Sequence, residues 1–312
     1  MNVLVTGASG FIGRALVERL VRDGHSVRAL IHQNPPASPD CEVQYIVADL
    51  TDPSSLPAAF HDINIVFHCA ALVKDFGSKK EVLEVNLHGT KNLVEACGNK
   101  IQRFIFLSHL HNKSTRNAGA YSSSKALAEQ YLINKYQKEK FPVAIIRPGN
   151  VYGPGATTWV LLPLRAIQKD RIALINRGNG IFLHTYIDNL IEALVASMNA
   201  PKVVGEIIEI TDGDNTTTWG TYLNDLAVIA GKPPITRTMT KTTALLLSKF
   251  MMTGYYLFRK DPLVTPTAVH ILTNQQTVSL KKAEALLGYK PTIDYAEGMK
   301  CTKAWLKTEH YL

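Results

Sequence analysis

The sequence predicts an α/β protein: a doubly wound, mostly parallel sheet with a smaller C-terminal lobe. Three observations predict it. Strand-like apolar runs alternate with helical segments from residue 3 to residue 146, and repeated strand–helix units of that length impose right-handed crossovers and a parallel sheet. The first apolar run ends in a glycine-rich turn that opens a helix. After Arg147-Pro148-Gly149 the alternation loosens into short strands, helices and frequent turn residues such as Gly153, Pro154, Gly155, Gly178, Gly180 and Gly213. These features place one domain at residues 1–149, with 181–200 returning to it, and a smaller lobe at 150–180 and 201–312.

The elements follow in order. Residues 3–6 read as the first strand and residues 12–23 as a helix whose buried face is Ile12, Leu16, Val17, Leu20 and Val21, at helical spacing. Strands are expected at 26–31, 43–47 and 65–68, with a proline-rich loop at 34–39 and a short helix at 53–60. A long helix at 80–98, a strand at 104–107, a polar loop at 109–119, a helix at 121–139 and a strand at 143–146 complete the alternation. Beyond it, a helix at 188–198 returns to the sheet, and 207–210 is a short strand of the smaller lobe. No internal repeat or low-complexity segment interrupts the chain.

The turn Gly7-Ala8-Ser9-Gly10-Phe11-Ile12-Gly13 follows Val3-Leu4-Val5 directly. Gly7 permits the tight turn, Gly10 lets backbone approach a pyrophosphate, and Gly13 lets the helix pack close on the strand. Unpaired N–H groups and the helix dipole then favour a bound anion at residues 10–13. The spacing is G-x-x-G-x-x-G rather than the commoner G-x-G-x-x-G. A dinucleotide is the expected occupant, and in such a sheet ligands bind beyond the carboxyl ends of the strands.

Composition bounds the function. The 312 residues are 46% hydrophobic and 19% charged, with a formal net charge of +8, which suits a globular core and an anionic cofactor or surface. Lys and Arg are spread rather than clustered with aromatic residues, so nucleic acid is not expected as a partner. Cys41, Cys69, Cys97 and Cys301 show no metal-ligand spacing, no metal is expected, and the thiols suit a reducing, cytoplasmic compartment. No signal-peptide pattern precedes the first strand. The apolar stretch 244–258 is interrupted by Ser248, Lys249, Thr253 and Gly254, too short and polar to span a bilayer. It reads as a core-facing helix; a helix lining an apolar pocket or lying on a membrane is left open, as is a homodimer.

A second signal is Tyr121-Ser122-Ser123-Ser124-Lys125 at the start of the helix after the fifth strand. Tyr and Lys four apart share one helix face. A phenol titrates near ~10, and a neighbouring ammonium favours its phenolate. Lowering that value by ~3 units takes about 4 kcal/mol, which requires a desolvated cleft.

With these residues the chain resembles an extended short-chain dehydrogenase/reductase, the NAD-dependent epimerase/dehydratase group with the Rossmann fold. The resemblance covers nearly the whole chain and is nearest to the 3β-hydroxysteroid dehydrogenase and dihydroflavonol reductase branch. It rests on Gly7/Gly10/Gly13, Ala48-Asp49-Leu50, His68-Cys69-Ala70-Ala71, Asn86 with Gly89-Thr90, Tyr121/Lys125, Arg147 to Gly155, Gly178-Asn179-Gly180 and Thr185 to Asn189. It implies that the glycine turn, with Phe11 and Ile12, and Pro148 border the dinucleotide. It further implies that Asp49 accepts from the adenine amino group, that Leu50 packs on the ring, and that Ala70 and Ala71 leave room for the cofactor. Lys125 binds the nicotinamide ribose, and Tyr121 exchanges a proton with the substrate oxygen. Each residue has a structural alternative: Asp49 caps a turn, His68 belongs to the core, Asn86 satisfies backbone, and Asp188 serves a helix N-terminus.

Two departures bear on these expectations. Where the family carries a Ser or Thr that bonds the reacting oxygen, strand alignment places His109, with Ser108 one residue early. A histidine N–H also donates to a developing oxyanion; rebuilding of the loop around Ser108, or loss of the role, is the alternative. The second strand ends Val27-Arg28-Ala29-Leu30-Ile31-His32 without a carboxylate, and His32 with Arg28 or Arg14 favours NADP over NAD. The expected function is an NAD(P)(H)-dependent oxidoreductase that interconverts a secondary alcohol and ketone on a small, hydrophobic, sterol-like substrate held by the smaller lobe. A nucleotide-sugar epimerase/dehydratase with tightly bound NAD, its diphosphate held by Arg165, Arg171 and Arg177, and a non-catalytic dinucleotide-binding subunit are the alternatives.

Overall fold

A computed structural model describes residues 1–33, 40–74, 76–98, 100–110, 119–259 and 261–312. The expected proline-rich loop at 34–39, and 111–118 of the expected polar loop, lie outside the described residues.

The chain runs β1 (Asn2–Thr6), α1 (Phe11–Arg22), β2 (Ser26–Ile31), β3 (Val43–Val47), β4 (Ile65–His68), α2 (Lys79–Leu83), α3 (Gly89–Cys97), β5 (Arg103–Leu107), α4 (Ala120–Glu139) and β6 (Val143–Pro148). It continues through β7 (Asn150–Tyr152), α5 (Leu162–Gln168), β8 (Leu174–Ile175), β9 (His184–Tyr186), α6 (Ile187–Asn199), β10 (Ile207–Ile210), α7 (Trp219–Ile229) and β11 (Thr238–Met239). Four helices close it: α8 (Lys241–Phe258), α9 (Pro266–Leu272), α10 (Lys281–Leu287) and α11 (Tyr295–Thr308).

Seven parallel strands form the central sheet in the order β10-β6-β5-β4-β1-β2-β3. The α/β, doubly wound reading is therefore correct. Strand alternation sorts the core into two layers. Val3, Val5, Ile105 and Leu107 face α1 and α6. Leu4, Val66, Phe104 and Phe106 face α3 and α4. The order reverses between β1 and β4, which opens a crevice at their carboxyl ends, beside Gly7 and Ala70.

Four expectations need correction. The short helix at 53–60 is two 3₁₀ turns, Pro53–Ser55 and Pro57–Phe60, because Pro57 has no N–H to continue the first. The long helix at 80–98 is α2 and α3 joined through a π turn, Glu84–His88. The strand at 207–210, assigned to the smaller lobe, is β10, the seventh strand of the central sheet beside β6; Ile208 and Ile210 are fully buried there. The apolar stretch at 244–258 is not a core helix: within α8 only Ala244 and Ser248 are buried.

A buried polar cluster ties β9 and α6 to the chain after β10 and before α11. His184 Nδ1 lies 2.8 Å from Asp212 Oδ2, and both side chains are about 1% exposed. Asp212 also accepts from the Tyr186 amide at 2.8 Å and from Asn189 Nδ2 at 2.7 Å. Asn189 Oδ1 in turn accepts from the amides of Thr292 and Ile293. Asp212→Ala would leave these buried donors unmatched and is expected to destabilise the fold by about 3 kcal/mol or more; urea unfolding measures it.

Candidate active site

At the crevice Gly7 has φ +68°, and a Cβ there would stand 2.7 Å from the Ala70 backbone. Gly10 caps α1, its N–H donating to Gly7 O at 2.9 Å. No side chain caps the helix and no acidic residue occupies its first turn. A Cβ on Gly13 would meet Gly7 O at 2.1 Å. The turn is therefore a cradle of backbone donors that a Cβ would fill, the chemistry a pyrophosphate requires, and the residues present fit a dinucleotide.

One cavity of about 1150 Å³ joins this cradle to the second lobe. Of the sequence-predicted site residues, Gly7, Gly10, Phe11, Ile12, Gly13, Ala71, Ser108, His109, Tyr121 and Pro148 line it. His32, Asp49, Leu50, Ala70 and Lys125 do not. Leu50 is buried, and its Cβ lies 2.9 Å from where a Cβ on Gly89 would stand. Asp49 accepts from the Thr51 amide and hydroxyl, both at 2.8 Å, closing a turn that holds its carboxyl below the usual range. His32 Nε2 is 3.4 Å from Asp49 Oδ2. Arg28 is committed elsewhere, to Gln44 and to the carbonyls of Ala59 and His61.

Around the Tyr–Lys pair the burial is deep. Lys125 is 1% exposed, with Nζ 3.8 Å from the centre of the Phe106 ring. Burial lowers its ammonium to about 7, with Cys69 and Glu129 pulling the other way. Glu129, one turn further along α4, forms a two-pronged ion pair with Arg147, at 2.9 Å to Nε and 2.5 Å to Nη2. Burial pushes the Cys69 thiol up to about 12, so it stays protonated. His109 Nε2 lies 3.0 Å from Ser122 Oγ, and its ring is centred 5.0 Å from Tyr121. Ser108 Oγ, in the cavity wall, is buried without a hydrogen-bond partner among the described residues.

For His68 and Asn86 the geometry shows the structural alternative, whereas Asp188 does not cap α6, whose N-cap is Tyr186 with no side-chain cap. His68 is fully buried between Thr6 and Thr90 hydroxyls, at 2.7 and 2.9 Å, and burial holds its ring neutral. Asn86, carried inward by the π turn, clasps both backbone groups of Leu72 and donates to Ser124 Oγ at 2.9 Å. Asp188 lies in the first turn of α6.

Other walls are Leu247 and Met251, from the apolar stretch left open as a pocket lining, and Trp159, Trp219 and Ile271, which the sequence did not single out. Their spacing along the chain is irregular, so only the packing of α5, α7, α8 and α9 brings them together. Of the arginines expected for a diphosphate, Arg171 lines the cavity whereas Arg165 and Arg177 do not; Arg237 joins it.

Two outcomes are expected. Gly13→Val, which places atoms on Gly7 O, abolishes dinucleotide binding measured by calorimetry. Lys125→Met raises the unfolding midpoint of the apoprotein, most below pH 7. The folded chain sheds this proton near 7 and the unfolded chain near 10.5, so the unfolded chain holds more protons in between and parent stability rises with pH across that window. The gain from the substitution shrinks over the same window, as thermal unfolding at several pH values records.

The comparisons agree with this geometry. The family model for the NAD dependent epimerase/dehydratase family matches residues 3–211. A 2-alkyl-3-oxoalkanoate reductase of Shewanella oneidensis is 26% identical over 98% of this chain and 86% of its own length. A 3-beta-hydroxysteroid dehydrogenase of Mycolicibacterium neoaurum is 27% identical over 96% and 89%. The structure of the epimerase Mth375 from Methanothermobacter thermautotrophicus superposes with a TM-score of 0.78 at 19% identity, covering 99% of this chain and 93% of that one. A glycine cradle at the switch point, a Tyr–Lys helix face beside it and a family match across two thirds of the sequence converge: this chain belongs to the NAD-dependent epimerase/dehydratase family, as an enzyme of the extended short-chain dehydrogenase/reductase type.

Proposed function

We propose that the protein interconverts a secondary alcohol and a ketone on an apolar, sterol-sized or long-alkyl substrate, with NADP(H) as the preferred cofactor. One observation carries the reading: Tyr121 and the unpartnered Ser108 hydroxyl border a cavity that joins the glycine cradle to walls of Trp, Leu, Met and Ile. The names of the relatives, a 2-alkyl-3-oxoalkanoate reductase and a 3-beta-hydroxysteroid dehydrogenase, support the same substrate class.

The dinucleotide, when bound, supplies or accepts hydride. Amides at the start of α1 hold its pyrophosphate, and His32, beside Asp49 at the end of β2, offers a ring N–H to its adenine ribose, with Arg28 committed elsewhere. Tyr121 passes the proton to or from the substrate oxygen. Lys125, desolvated beneath it, favours the phenolate. Ser108 donates to the same oxygen, whereas His109, bonded to Ser122, positions the start of α4. The aromatic and aliphatic walls exclude water and orient the carbon skeleton. An apolar substrate partitions into lipid, which makes peripheral membrane contact part of the same proposal.

The epimerase reading is less well supported, because a diphosphate would find Arg171 and Arg237 against a wall of Trp159, Leu247, Met251 and Ile271. Assay of alkyl and steroid ketones with NADPH and NADH tests the proposal. Tyr121→Phe is expected to lower turnover about 10²–10⁴-fold with cofactor affinity unchanged. Ser108→Ala is expected to lose about 10²-fold, more than His109→Ala. His32→Ala is expected to erase the NADPH preference. Cofactor binding without turnover across the panel would instead favour a non-catalytic subunit.

A further inference from the structure

Helix α8 is apolar on two faces. Leu247 and Met251 line the cavity, and Tyr255 packs edge-on against Phe76, ring centres 5.1 Å apart. On the opposite side Leu246, Phe250 and Leu257 stand 65%, 77% and 69% exposed. At 100° per residue these three fall in one narrow stripe, whereas Phe258, 72% exposed at the helix end, falls on the same side as Leu247 and Met251. Leu263 and Val73, also strongly exposed, belong to the cavity wall, so exposed apolar side chains occur both on α8 and at the cavity.

Within α8 and its C-cap the charge has one sign. From Lys241 to Arg259 the chain carries Lys241, Lys249 and Arg259 and no Asp or Glu. Lys249 and Arg259 are exposed. A two-fold contact between copies of α8 would set these cations against themselves. An anionic bilayer surface meets both features, taking the apolar stripe among its acyl chains and the cations among its headgroups. Among the described residues no helix is long and apolar enough to cross a membrane, so α8 would lie flat, with the cavity mouth against the lipid.

We propose that α8 is an interfacial anchor that docks the cavity mouth on anionic lipid. The inference rests on the preceding reading only for what enters the cavity; the surface itself is independent of it. The test uses full-length protein without cofactor or substrate, sedimented with vesicles of phosphatidylcholine alone or mixed equally with phosphatidylglycerol. The parent is expected to sediment with the mixed vesicles, and less so at high salt. The double variant Phe250→Glu/Leu257→Glu, altered outside the cavity, is expected to lose binding by about tenfold or more while keeping its unfolding midpoint and its turnover of a water-soluble ketone. Lys249→Glu is expected to weaken binding to mixed vesicles without changing fold or mass. Parent protein that stays in solution with both vesicle types overturns the proposal, as does a double variant that binds equally well. A parent dimer that the double variant converts to monomer, by light scattering, overturns it in favour of an interface between copies. Failure of any of these removes the membrane contact from the proposed function but leaves its chemistry, which turnover tests.

Discussion

Everything in the site depends on how closely α1 approaches the first strand. The carbonyl of Gly7 lies 2.1 Å from where a side chain on Gly13 would begin, so only hydrogen fits. That contact brings the first-turn amides to the crevice where the strand order reverses. On the far side, a Cβ on Gly7 would stand 2.7 Å from the Ala70 backbone just beyond β4. Two strand ends and one helix end are thus held within a few atoms of one another, and the anion site is made of backbone. The cost is conformational, since glycine loses more freedom on folding than any other residue. The parallel sheet beneath, buried on both faces, offsets it.

Much of this was legible in the sequence because the physics is local. The strands at 26–31, 43–47 and 65–68 follow from short apolar runs between turn residues, and the cradle from three glycines at fixed spacing. Tyr121 and Lys125 share a helix face by spacing, and it is their place at the start of the helix after the fifth strand that singles them out. What the sequence left ambiguous depends on long-range packing. The strand at 207–210 has the same pattern whether it joins the central sheet or a small lobe, and only its pairing with β6 decides. The two faces of α8 cannot be told apart by hydropathy, because both are apolar. Ser108 and His109 are neighbours, and their separate environments arise from Ser122, fourteen positions beyond Ser108.

The buried lysine and the aromatic lobe show how stability is spent near chemistry. Lys125 is surrounded by Phe106, a neutral thiol and Glu129, and in the absence of a ligand its charge is poorly supported. Ribose hydroxyls and a phenolate would each stabilise that charge. His184, Asp212 and Asn189 form a buried polar cluster whose members do not line the cavity, so the cavity walls there are free to be apolar.

The π turn at Glu84–His88 winds wider than the helices on either side. It carries Asn86 inward to Leu72, while Leu93 and Val94 of α3 sit in the core. Deleting one residue within it would restore regular winding and rotate Asn86 by about 100°, out of reach of Leu72. The loop that borders the cavity would then lose its clasp, so at this point a length change edits the site and spares the scaffold.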